Sequence, residues 1–162
     1  MIDTLQNFAE VGVALAGFSA IAAALNPKVD LSPGSTERTS LQTLLECAGL
    51  VVLFSLLPQI LVQAPIGETS LWRAALLVYG ICHAVHCIVV FRRIHLHGSV
   101  VGFIRSLELI AVIVVIAQLV YGLSGSSEMV KLVYLAALLW HILVAAMSFG
   151  GVIMRNDEGH PS

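Results

Sequence analysis

The sequence predicts an all-α integral membrane protein with five transmembrane helices. Three observations carry that expectation. The 162 residues are 58% hydrophobic and only 11% charged, with a mean hydropathy of +0.94, where soluble domains carry about 25% charged residues. The apolar residues fall into five runs, each near the length of about 20 residues that crosses a hydrocarbon core. Between the runs lie short stretches of Pro, Gly, Ser and charged residues, which stop helices. A soluble core of this size could not hold so much apolar surface, so lipid is the expected solvent.

The first span is expected over residues 7–25, ending at Asn26-Pro27. No Lys or Arg precedes it, and Asp3 lies before it and Glu10 near its start, so it reads as a retained helix rather than a signal peptide, which needs a basic leader. The loop NPKVDLSPGSTERTS follows, with two prolines that block helix continuation. The second span covers residues 41–63 with Pro58 as a kink, and the third residues 71–91, closed by Arg92 and Arg93. The fourth covers residues 101–123 and the fifth 129–154, joined by the turn SGSSE. One transmembrane domain, residues 1–154, and a polar tail, 155–162, complete the chain.

Six of the eight Lys and Arg residues (Lys28, Arg38, Arg92, Arg93, Arg105, Arg155) fall on one side of these spans, and Arg73 and Lys131 on the other. The basic side is normally cytoplasmic, which gives an N-out/C-in topology with Trp72 as an outer interfacial anchor. A bacterial inner membrane suits this composition. A shift of 62 residues aligns Leu45-Glu46 with Leu107-Glu108 and Ala74-Ala75-Leu76-Leu77 with Ala136-Ala137-Leu138-Leu139. Helices 2–3 and 4–5 would then be two parallel hairpins of one repeat, as in some transporters. The net charge of −2, with no basic stripe, argues against nucleic acid. Cys47, Cys82 and Cys87 are an odd number within apolar runs, so no disulfide framework is expected.

Ionisable residues inside spans are costly and mark functional sites. Counted from the span ends, Glu46, His86 and Glu108 are expected at one depth in the inner half of the bilayer. Polar residues recur at helical spacing on three spans. These are Gln42, Glu46 and Gly49 on the second, and Tyr79, His83, His86 and Arg93 on the third. On the fourth they are Gly102, Arg105, Glu108, Gln118 and Gly122, with Arg105 and Glu108 able to pair locally at i,i+3.

The run CHAVHC spreads over too wide an arc for all four side chains to hold one ion. His83 and His86 could hold a divalent metal if Glu46 or Glu108 completed the shell. His83 and His141, at matched depth on helices 3 and 5, could instead be axial ligands of a b-type haem. Gly12, Ala16, Ala20 and Ala24 form a small-residue stripe for helix packing. The leading expectation is a homo-oligomeric channel or transporter for protons or cations, lined by Glu46, His83, His86 and Glu108. It would self-associate through helix 1 or helix 5. The alternatives are a membrane-embedded interaction subunit that joins other protein subunits without transport, and a haem electron-transfer protein. No nucleophile–base pair or phosphate loop points to an enzyme.

Overall fold

A computed structural model of the chain describes residues 1–25, 31–32, 35–96 and 102–154; for residues 2, 94–96, 102–106 and 151–154 only the backbone is described. Among the described residues there are five helices, α1 Ile2–Leu25, α2 Thr36–Leu61, α3 Glu68–Leu96, α4 Gly102–Ser124 and α5 Ser127–Met154. All five are long and apolar enough to cross a membrane. By length and composition the chain is therefore a multi-pass membrane protein, as the sequence leads one to expect.

Local chemistry sets the helix ends. The Ser35 hydroxyl accepts from the Arg38 backbone N–H at 3.2 Å, the N-cap bond that α2 needs. Past Leu61, bonds from Gln63 to Ile60 and from Ala64 to Leu61 tighten the chain into a turn. α3 does not stop at its arginine pair. Arg92 and Arg93 lie inside it, where the negative end of the helix dipole favours cations.

The chain divides into two compact units, one of Met1–Ser55 with Leu139–Ser162, the other Leu56–Leu138, so the boundary falls within α2 and α5. In the first unit, α1 has two distinct faces. Leu5, Gly12 and Ser19 are buried and residues 8, 9, 15, 16, 22 and 23 half-buried, a seven-residue repeat along one side. A Cβ on Gly12 would lie 3.0 Å from a Val52 methyl and 3.1 Å from the Ala48 carbonyl oxygen, so the missing side chain sets the approach of α1 to α2. Leu15 packs with Val144 and Phe149 against a core of Leu44, Cys47 and Ala145. The small residues expected as one packing stripe, Gly12, Ala16, Ala20 and Ala24, differ in exposure within the chain. Gly12 is buried, Ala16 half-buried, and Ala20 and Ala24 are exposed. Each four-residue step advances about 40° beyond a full turn, so three steps leave the face.

The second unit is built on the antiparallel pair α3–α4. A Cβ on Gly80 would sit 3.0 Å from the Gln118 Cβ, and one on Gly122 would sit 2.8 Å from the Leu77 side chain. At the end of the pair the Arg73 guanidinium donates twice to the Gly125 carbonyl, at 2.7 and 3.2 Å. That carbonyl lies just past α4, where main-chain acceptors lack helical partners. Lys131 bridges Glu68 at 2.7 Å and Glu128 at 3.6 Å. Trp72 is buried edge-on against Tyr134, with ring centroids 5.7 Å apart.

Gly80→Ile should lower the unfolding midpoint in detergent by the equivalent of about 1–3 kcal/mol, because it overpacks the α3–α4 contact. Gly49→Ala, at an exposed position with nothing within 4 Å, should leave it unchanged or slightly raised. Equal effects of the two variants would contradict the close approach.

Candidate functional site

The close approach at Gly80 brings two polar side chains face to face. His83 lies one turn after Gly80 on α3, and Gln118 one turn before Gly122 on α4. His83 Nδ1 and Gln118 Oε1 are 2.7 Å apart, and the residues are 1% and 0% exposed. With the amide oxygen toward the ring, Nδ1–H donates, which makes Nε2 the unprotonated nitrogen of the neutral ring. Gln118 Nε2 is buried with no hydrogen-bond partner among the described residues. A cluster of rings covers one side of the pair. Tyr79 lies 6.3 Å from the His83 ring and 5.4 Å from Tyr134, and both tyrosines are fully buried.

The helix register places the other candidates in this unit. Arg73 reaches Gly125, Leu77 meets Gly122, and Gly80 and His83 meet Gln118. Each step along α3 is thus matched by a step back along α4. Continuing that register sets His86 opposite residues 112–115 and Glu108 opposite residues 90–93. His86 and Glu108, both half-buried, are therefore separated by about 6–10 Å along the pair. On α4, Gln118 and Gly122 meet α3 at Gly80, His83 and Leu77.

The remaining candidates belong to the first unit or fall outside the described side chains. Glu46, in the first unit, accepts from the Gln42 amide at 3.1 Å along one turn of α2. His141 is also in the first unit and 1% exposed, so the two histidines of the haem expectation belong to different units. The Arg105 side chain lies outside the described residues. Among the described residues no group of three or more His, Cys, Asp or Glu could hold a metal ion. His83 and His86 accordingly have no third ligand gathered with them in their unit. Cys82 is half-buried and Cys87 buried, both as free thiols.

Gln118 is the site residue that sequence reasoning undervalued. Its signal was the pairing of a small and a polar residue one turn apart on two neighbouring spans, Gly80 with His83 and Gln118 with Gly122. Tyr134 carried no such signal, since an aromatic in an apolar run is ordinary.

No protein-family model, curated protein or solved structure matches the chain. The function therefore has to be argued from the side chains themselves.

The His83–Gln118 bond should appear as a coupling of about 1 kcal/mol in a double-mutant cycle of His83→Leu and Gln118→Leu, within the range for interhelical hydrogen bonds in membranes. Reversible unfolding in mixed micelles measures it, and strictly additive losses would show that the two side chains act separately.

Proposed function

We propose that this chain is a small homo-oligomeric channel or transporter for protons or cations in a bacterial inner membrane. The observation that carries the reading is the fully buried His83–Gln118 hydrogen bond between two membrane-spanning helices. An apolar pair of the same size would hold α3 to α4 without the cost of burying polar groups, so their presence calls for a role. An imidazole can take a proton at one ring nitrogen and release one from the other. His86 follows about 4.5 Å further along α3, and Glu108 lies beyond it near the end of the pair. His83, His86 and Glu108 thus mark successive levels along the membrane normal, as a conduction route requires. Glu46 and His141 are further candidates from the first unit. The topology in this reading is N-out/C-in, which puts Glu108 toward the cytoplasmic mouth. The two-hairpin repeat is not needed, since the route runs between helices of different hairpins.

A second reading, a membrane-embedded interaction subunit, is favoured by the first unit. There an apolar recess of about 410 Å³ is lined by Leu15, Phe18, Ile21, Ala22 and Phe149, with no polar side chain among them. In that case the His83–Gln118 bond is packing glue alone.

Flux separates the two. Reconstituted in liposomes with a pH-sensitive dye inside, the wild-type chain should dissipate an imposed proton gradient. His83→Leu and Glu108→Gln should each slow it at least tenfold with helix content unchanged. If the wild type conducts neither protons nor monovalent cations, the interaction-subunit reading takes its place.

A further inference from the structure

A buried side-chain amide is ordinarily fixed by bonds at both ends, its oxygen on a donor and its nitrogen on an acceptor. Gln118 is fixed at one end only. Its Oε1 lies 2.7 Å from His83 Nδ1. Its Nε2 has no hydrogen-bond partner among the described residues, although the residue is 0% exposed. The stem of the side chain is held in place, since Gln118 Cβ packs where Gly80 has no side chain. Beyond the stem, the one bond to Nδ1 is all that orients the amide among the described residues. The torsion that turns it is broad and roughly two-fold, and half a turn exchanges oxygen for nitrogen while the shape packed against α3 stays the same. The imidazole opposite has the matching property. When neutral it carries its proton on either nitrogen, so Nδ1 is a donor in one tautomer and an acceptor in the other. Two arrangements therefore fit one contact. In the first, His83 Nδ1–H donates to Gln118 Oε1 and the amide nitrogen is left over. In the second, the amide nitrogen donates to Nδ1 and the amide oxygen is left over. Each makes one bond and strands one end of the amide, so bonding favours neither.

We propose that His83 and Gln118 form a two-state switch, in which the amide turns over together with the tautomer of the ring. Passage from the first arrangement to the second moves protons through water. His83 Nε2 takes a proton from hydronium, giving an imidazolium whose Nδ1–H still bonds Gln118 Oε1. Nδ1 then yields its proton to water as the amide turns, and the ring ends neutral with one proton, as it began. The ring keeps its place beside Tyr79, 6.3 Å away between centroids, yet its Nε2 has changed from acceptor to donor. A group that passes protons one after another must reset in this way, and here an uncharged side chain performs the reset. The switch rests on the geometry of the pair and not on the conduction reading.

The experiment is magic-angle-spinning nitrogen NMR on the full-length chain in phosphatidylcholine vesicles, with isotope-labelled histidine and glutamine. His83 is picked out among the six histidines by the signals that vanish in His83→Leu. The wild type should show both neutral forms of His83, the minor one at about a tenth of the signal or more. The Gln118 amide nitrogen should show two environments in the same ratio, one bonded to the ring and one without. Gln118→Leu offers Nδ1 neither donor nor acceptor, and it should shift the ratio of the two ring forms by about fivefold or more. Gly49→Ala, at an exposed position in the first unit, should leave the ratio unchanged. A single His83 form with a single amide environment in the wild type would overturn the proposal, and that measurement needs no variant to fold. So would a ratio left unmoved by Gln118→Leu at wild-type helix content. Both forms in a chain that conducts no protons would leave the switch standing and remove the conduction reading. Proton flux with one form only would do the reverse.

Discussion

Two helices in hydrocarbon gain nothing from hiding apolar surface from each other, since lipid tails are as apolar as leucine. What holds α3 to α4 must therefore be close contact and hydrogen bonding, and both depend on Gly80. Its missing side chain lets the Gln118 stem approach, which in turn brings the amide within reach of His83. The register fixed there runs to Gly122 and Leu77 and ends where Arg73 meets Gly125. The placing of His86 and Glu108 at successive levels is a consequence of that register and not an independent feature.

The two faces of α1 illustrate the same rule. One side is occupied by α2 and α5 residues of its own unit, around Gly12 and Leu15. The other carries polar and small residues that face outward. Neither side is distinguished by hydrophobicity, because both are apolar over most of their length. In water an amphipathic pattern separates core from surface; in a bilayer that contrast vanishes, and size and hydrogen-bonding capacity replace it.

This is why the sequence reveals the class of the protein so readily and its contacts so poorly. Five apolar runs with polar breaks are enough to identify five helices, and the ends move only where a charge such as Arg92 or Arg93 fits within a helix. The burial of His83 and His141 was likewise legible, since a histidine in the middle of a span has few other places to go. Depth was not. Counting from span ends does not fix the register of α3 on α4, which the contacts at Gly80 and Gly122 set. The inward turn of Trp72 onto Tyr134 was also beyond reach, because it depends on a ring from a helix 60 residues further along the chain.

The link between α4 and α5 has a bearing on how the protein is made. Gly125 and Ser126 are all that separates the two helices, and two extended residues reach about 7 Å, a fraction of the bilayer core. So short a link ties the end of α4 directly to the start of α5, and the two helices cross in opposite directions once both are in the membrane. A Cβ on Gly125 would fall 2.6 Å from the Tyr121 carbonyl oxygen, so glycine is demanded at the tip of that hairpin. The carbonyl at the tip is held by Arg73 of α3, a helix already synthesised when the hairpin emerges. The turn that joins the last two helices is thus latched by a residue made earlier in the chain, so it closes only once α3 is in place.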